Sequence, residues 1–166
     1  MPDELTLRNA TEEDVPLILQ FIRDLAEYER LAHACVATEE SVRETLFGER
    51  PYAEVVIAEH AGEPAGFALF FHNYSTFLAR PGIYLEDLYV RPELRGLGIG
   101  KALLARLASL AVERNCGRLE WAVLNWNDSA IRFYRSLGAL PQDQWTTYRV
   151  TGEALENLAD RRRPAG

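Results

Sequence analysis

Residues Arg95-Gly96-Leu97-Gly98-Ile99-Gly100-Lys101 join a run of branched and aromatic side chains ending at Val90 to an apolar stripe that repeats at helical spacing from Ile99. A strand that turns through glycines straight into a helix demands a strand–helix–strand crossover, and such a crossover needs a sheet to lie on. The same glycines carry no Cβ, so backbone N–H groups can approach an anion closely, and the helix start adds a partial positive charge. A diphosphate suits that setting. The pattern is not a Walker loop, since the spaced Gly-Lys-Ser/Thr ending is missing. Nor is it a dinucleotide fingerprint, since the glycines recur at every second position.

The rest of the chain reads as a mixed sheet covered by helices. Leu5-Thr6-Leu7 alternates like a short strand, and Thr11 with Asp14 offers the hydroxyl and carboxylate that satisfy free amides at a helix start. Val15, Ile18, Leu19, Ile22, Leu25 and Ala26 then form one apolar stripe to about Tyr28. A loop over residues 29–37 precedes a shorter helix, capped by Thr38 and stopped by a left-handed Gly48 and by Pro51. Residues 52–60 and 65–74 predict a hairpin around Ala61-Gly62-Glu63-Pro64. A loop over 75–82 leads into a strand over 83–90 that carries two adjacent acids, Glu86 and Asp87. After the glycine turn come a helix ending near Cys116-Gly117, a strand over 119–124, and a short helix capped by Asp128 and closed at Gly138. A strand over 145–150 and a helix over 153–160 follow.

Charge narrows the function. Asp and Glu number 25 against 18 Lys and Arg, a formal charge of -7, so nucleic acid is not the expected partner and a cationic substrate is. The two cysteines, Cys35 and Cys116, stand far apart, which suits a reducing compartment and excludes a disulfide scaffold. His33, His60 and His72 have no ligand spacing with each other or with the cysteines, so no metal is expected. Met1-Pro2-Asp3-Glu4 lacks the basic and apolar regions of a signal peptide, and no apolar run approaches the roughly 18 residues that span a bilayer. The expectation is a soluble, cytoplasmic protein with Arg161-Arg162-Arg163 as a solvated tail.

Tyr84-Leu85-Glu86-Asp87-Leu88-Tyr89-Val90-Arg91-Pro92-Glu93-Leu94-Arg95-Gly96-Leu97-Gly98-Ile99-Gly100 resembles the coenzyme A signature of the GNAT N-acetyltransferases, whose core is Arg/Gln-x-x-Gly-x-Gly/Ala. Trp126-Asn127-Asp128-Ser129-Ala130-Ile131-Arg132-Phe133-Tyr134 with Gly138-Ala139 resembles the second signature of that family. The resemblance implies one α/β (α+β) domain over residues 1–166 with the GNAT fold, a mixed, mostly antiparallel central sheet with helices on both faces. Leu25-Ala26-Glu27-Tyr28-Glu29 and Ala122-Val123-Leu124-Asn125-Trp126-Asn127 look like the spermidine/spermine acetyltransferases and their thialysine-acetylating relatives. That implies acetyl-CoA as cosubstrate, a small cationic amine as acceptor, and a homodimer. The amides of Leu88 and Val90 would hold the pantetheine arm, those around Arg95, Gly96, Gly98, Gly100 and Lys101 the pyrophosphate, and Asn127 would lie beside the thioester.

Acetyl transfer itself assigns further roles. An alkylammonium with a reference pKa of about 10.4 has no lone pair, so a carboxylate must accept a proton directly or through water, and Glu86 is the first candidate. Adjacent strand residues point to opposite faces unless a bulge intervenes, so Glu86 and Asp87 are not equivalent. The departing thiolate needs a proton, and Tyr134 matches the tyrosine that supplies it in the family. Asp87, Glu29, Glu27 and Trp145 are candidates for binding the amine. Two alternatives stay open: a peptide or protein amine as acceptor, and an acyl-CoA-binding sensor without turnover.

Overall fold

The computed structural model describes residues 4–161; the expectations for residues 1–3 and for Arg162 and Arg163 lie outside them. The chain clusters into two compact units, Met1–Leu124 and Asn125–Gly166.

In the first unit five strands lie in sequence order. They are β1 (Leu5–Asn9), β2 (Glu54–His60), β3 (Glu63–Ser75), β4 (Arg80–Val90) and β5 (Leu119–Trp121). The first four pair antiparallel, while β5 runs parallel to β4. The parallel pair is the predicted crossover, closed by α3 (Ile99–Glu113). Helices α1 (Val15–Tyr28) and α2 (Glu39–Phe47) cover one face, where Val15, Ile18, Phe21, Leu25 and Val42 pack with Val55, Ile57, Phe67 and Tyr89. The alternate strand residues Val56, Ala58, Ala68, Phe70 and Leu85 are buried on the other face, toward the α3 residues Ile99, Leu103, Leu104 and Leu107. This is the mixed sheet with helices on both faces that the sequence predicts.

Local chemistry sets the boundaries. The Thr11 amide donates to Asp14 Oδ2 at 2.7 Å, and the turn Glu12–Asp14 is 3-10 before α1 proper begins. Arg8 also grips Asp14 through both Nη atoms, at 2.8 and 2.9 Å, and reaches Glu59 at 2.7 Å, so one guanidinium ties β1 to β2 and to the entry of α1. Thr38 caps α2 by accepting from the Ser41 amide at 3.1 Å. Gly48 ends α2 for a reason other than the predicted one: its backbone is extended, φ -78° and ψ -168°, and glycine is needed because a Cβ would collide with the Glu44 carbonyl oxygen. At the end of α3 the left-handed residue is Asn115, φ 58°, ahead of Gly117.

The predicted hairpin forms about a tighter turn. Ala61 and Gly62 both have positive φ, 51° and 80°, as a two-residue connection between twisted strands requires. Glu63 and Pro64 therefore belong to β3, and the predicted loop over 75–82 shrinks because β3 runs to Ser75 and β4 starts at Arg80. Strand β5 stops at Trp121, three residues short of its expected end.

In the second unit α4 (Asp128–Ser136) is capped by Asn127, one residue before the expected Asp128, and Gly138 ends it at φ 87°. Helix α5 (Gly152–Asp160) follows. The expected strand over 145–150 does not form. Aromatic and branched residues favour extended backbone, yet a strand exists only when a neighbour completes its ladder, and the described elements of this unit are helices.

Candidate functional site

The register of β4 against β3 shifts by one residue in mid-strand. Leu69 faces Asp87 and Phe70 faces Leu85, so Glu86 has no partner on β3. This is the bulge on which the relation of the two acids turned. Downstream of it Asp87 and Tyr89 lie on the α1 face beside Leu69 and Phe67, and Glu86 is close enough to act electrostatically on Asp87, Glu29 and Tyr84.

Two of these carboxylates, Glu29 and Asp87, line an apolar cleft of about 220 Å³, where they stand among Ile22, Leu25, Leu31 and Cys35. Burial pushes the Asp87 carboxyl up to about 6, and the negative charges of Glu86 and Glu29 add to the shift. Glu29 is raised too, first by burial and then by Glu86. The Tyr84 hydroxyl is raised by burial, Glu86 and Glu120. Such a site favours a cation, since an entering ammonium relieves repulsion that the fold imposes. Glu27 is exposed and does not line the cleft. Sequence reasoning missed Leu31 and Cys35, which sit in the segment read only as a loop. The four-residue step from Leu25 to Glu29, one turn of helix, was the signal that the apolar stripe leads into the acid.

The second feature is a free edge with a glycine turn below it. Strand β5 pairs with β4 only at Ile83, Tyr84 and Leu85, so among the described residues nothing pairs with that edge beyond Leu85. The Arg91 amide donates to Ala65 O on β3 at 2.8 Å. Alternation then turns the amides of Tyr89 and Asp87 toward β3 and those of Val90 and Leu88 toward the free edge. Where the strand ends, Gly96 and Gly98 take φ 82° and 83°, and Gly98 caps α3 without a side chain. The Ala102 amide bonds to Gly98 O at 2.9 Å, so the amides ahead of it have no acceptor inside the helix. A Cβ at Gly96 or Gly98 would meet nothing within 4 Å, and one at Gly100 only Val90 Cγ2 at 3.8 Å. Lys101 is exposed in the first turn of α3. The Arg95 amide bonds to Pro92 O at 3.3 Å, and its guanidinium lies over Tyr28 and Tyr89.

The remaining candidates belong to the second unit. Asn127 Oδ1 accepts from the Ala130 amide at 3.4 Å and from Ser129 Oγ at 3.3 Å. The Tyr134 ring packs against Phe133 with centroids 5.6 Å apart. Trp145 is 81% exposed.

The sequence pattern of the acetyltransferase (GNAT) family matches residues 19–139, more than half of the chain. The chain belongs to that family. Thialysine N-epsilon-acetyltransferase of Bos taurus is 41% identical over 92% of this chain and 96% of its own length. Spermidine/spermine N(1)-acetyltransferase-like protein 1 of Homo sapiens is 32% identical over 95% of this chain, which spans 24% of that longer protein. A solved integron cassette protein from the mobile metagenome of V. cholerae superposes with a TM-score of 0.80 at 26% identity, over 94% of this chain and 98% of its own. The GNAT chain is thus an N-acetyltransferase, related to enzymes named for small amines. Among its described residues no helix is long and apolar enough to cross a membrane, and no three His, Cys, Asp or Glu side chains are grouped to hold a metal ion.

The raised Asp87 carboxyl makes a prediction with a definite sign. The folded protein holds this proton more tightly than the unfolded chain does, so the contribution is present below about pH 4 and is lost as the pH rises through about 6. Asp87→Asn cannot ionise. Its stability relative to the parent should therefore improve between about pH 4 and about pH 8, on the order of 2–3 kcal/mol. Urea unfolding at several pH values measures this, and a difference that does not vary with pH would mean that Asp87 titrates like a solvated acid.

Proposed function

We propose that this GNAT enzyme transfers acetyl from acetyl-CoA to the primary amine of a small substrate with a second cationic group, a polyamine, diamine or thialysine-like amino acid. The observation that carries the reading is the acidic, apolar-walled cleft at the β4 bulge, where Glu29, Asp87 and Glu86 act on one another. The names of the thialysine and spermidine/spermine relatives support the same substrate class. Asp87 and Glu29 receive the remote ammonium. The family match runs across the boundary between the two units, which supports reading residues 1–166 as one acetyltransferase domain. A homodimer is part of the proposal and rests on the resemblance alone, and a cytoplasmic location is part of it on the usage of the two cysteines.

The residues present fit a coenzyme. Open space beside Gly96 and Gly98, a Gly100 position that a Cβ would not crowd, and helix-start amides without internal acceptors together form an anion cradle. The amides of Leu88 and Val90 would hold the pantetheine arm along the free edge and those of residues 96–101 the pyrophosphate, and the family resemblance adds Asn127 as a contact to the coenzyme. When bound, the coenzyme supplies acetyl as an activated thioester. The residues of the chain manage the protons. Glu86, exposed and so in contact with water, accepts the proton that the substrate ammonium must lose before its nitrogen can attack. Tyr134 gives its phenolic proton to the departing sulfur, and the attack needs no covalent enzyme intermediate.

The direct test is a panel of amines incubated with acetyl-CoA while free thiol is followed. Diamines, polyamines and thialysine should show higher kcat/KM than monoamines of equal length, with a gap that narrows as salt is added. Equal values at low salt, or a preference for peptide amines, would overturn the cationic cleft.

Gly100→Val places a branched side chain at the helix start without requiring a left-handed backbone, so acetyl-CoA affinity should fall at least tenfold in a protein with near-parental unfolding. Unchanged calorimetric affinity would move the pyrophosphate elsewhere. Tyr134→Phe should lower turnover by roughly 10² to 10⁴ while coenzyme affinity stays near the parent's. A loss of only a few-fold would assign the proton to water or to another group.

A further inference from the structure

Arg95 begins the glycine turn, yet its side chain faces back onto the protein. Nε donates to the Val90 carbonyl at 2.9 Å. The guanidinium carbon lies 4.7 Å from the centroid of the Tyr28 ring and 5.5 Å from that of Tyr89. These partners come from different parts of the site. Tyr28 is the last residue of α1 and immediately precedes Glu29 of the acidic cleft. Tyr89 stands two residues beyond Asp87 and packs against Phe21 of α1 at 5.9 Å. The Val90 carbonyl belongs to the free edge of β4, on the same residue whose amide faces that edge.

We propose that Arg95 is a positioning residue whose guanidinium clamps the glycine turn to the C-terminal end of α1, so that one side chain sets both the anion cradle and a wall of the acidic cleft. The proposal rests on reading residues 96–101 as the coenzyme cradle, and it gives the Arg95 side chain a duty other than contact with phosphate. The chemistry of the clamp is specific to arginine. A planar guanidinium stacks on a phenol ring and still donates edge-on from Nε, whereas an ammonium on a flexible stem cannot do both at once. A loosened clamp frees the turn to lose its φ-positive geometry at Gly96 and Gly98, and frees the Tyr28–Glu29 turn to drift from Asp87. Coenzyme and amine binding should weaken together.

Calorimetry of acetyl-CoA binding at two salt concentrations, with steady-state KM for a diamine, tests this on the full chain and on Arg95→Lys, Arg95→Ala, Tyr28→Phe and Tyr28→Leu. Arg95 is exposed and Tyr28 is 38% exposed, so folded variants are expected, and circular dichroism checks them. Arg95→Lys and Arg95→Ala should each weaken acetyl-CoA about tenfold, the scale of one charged hydrogen bond with its stacking, with the parent's salt dependence kept. Tyr28→Leu should reproduce that loss and raise the KM of the amine, while Tyr28→Phe, which keeps the ring under the guanidinium, should lose several-fold less than Tyr28→Leu in both. Parent-like affinity in Arg95→Lys beside a weakened, less salt-sensitive Arg95→Ala would make Arg95 a plain phosphate charge. Parent-like behaviour of Tyr28→Leu would break the link to α1. Either result overturns the clamp alone, whereas a parent chain that does not bind acetyl-CoA overturns the coenzyme reading and the clamp with it.

Discussion

A single unpaired residue in β4 decides which side chains of its second half face which helix. Upstream of Glu86 the α3 face takes Leu85, and in an unbroken strand Asp87 and Tyr89 would follow it there. The bulge reverses the alternation, so Asp87 and Tyr89 fall under α1 while Leu88 and Val90 turn to α3. Tyr89 then joins Phe21 and Phe67 in the core, with the Phe21 and Phe67 rings 5.3 Å apart. Without the extra residue, an acid would enter the α3 core and the acidic cleft would lose its deepest group.

That arrangement is costly for the fold and useful for binding. Asp87 is largely buried with no basic partner among the groups that shift it, and both acids acting on it raise its proton affinity further. Elsewhere the fold treats its carboxylates differently. Asp14 is held below the usual carboxylate range by the Arg8 guanidinium, and Glu54 by Arg114, which it meets at 2.7 and 2.9 Å. The sheet thus compensates acids that serve structure and leaves uncompensated the ones at the cleft. Selection for stability alone would not produce that contrast.

How much of this was legible in the sequence depended on how local each cause is. Thr38 and the crossover through Arg95–Lys101 are short-range devices, and both form as expected. One expectation failed in the choice of cause: Gly48 is required by the nearby Glu44 carbonyl and not by a left-handed backbone. After α3 the left-handed turn is supplied by Asn115, which no glycine pattern marks. The expected strand over 145–150 failed because pairing is non-local: composition proposes extended backbone, and only a neighbouring ladder makes it a strand. The bulge at Glu86 lies between these cases. Its position follows from Leu69 and Phe70 across the sheet, information that no window on β4 contains. The two adjacent acids made it a question, and the register answered it.

The glycines sort by the same physical logic. At Gly66 a Cβ would collide with the Tyr89 carbonyl oxygen on the neighbouring strand, so the fold itself excludes a side chain there. Gly98 is fixed by its left-handed φ of 83°. Gly100 has neither constraint: its φ is not positive, and a Cβ would make only an ordinary contact with Val90. An alanine at that position would also improve helix propensity by up to about 1 kcal/mol. A position that the fold itself leaves open to a side chain, at a helix start and beside two glycines that face open space, is therefore kept small for a reason outside the chain, an anion that must come close to the helix-start amides.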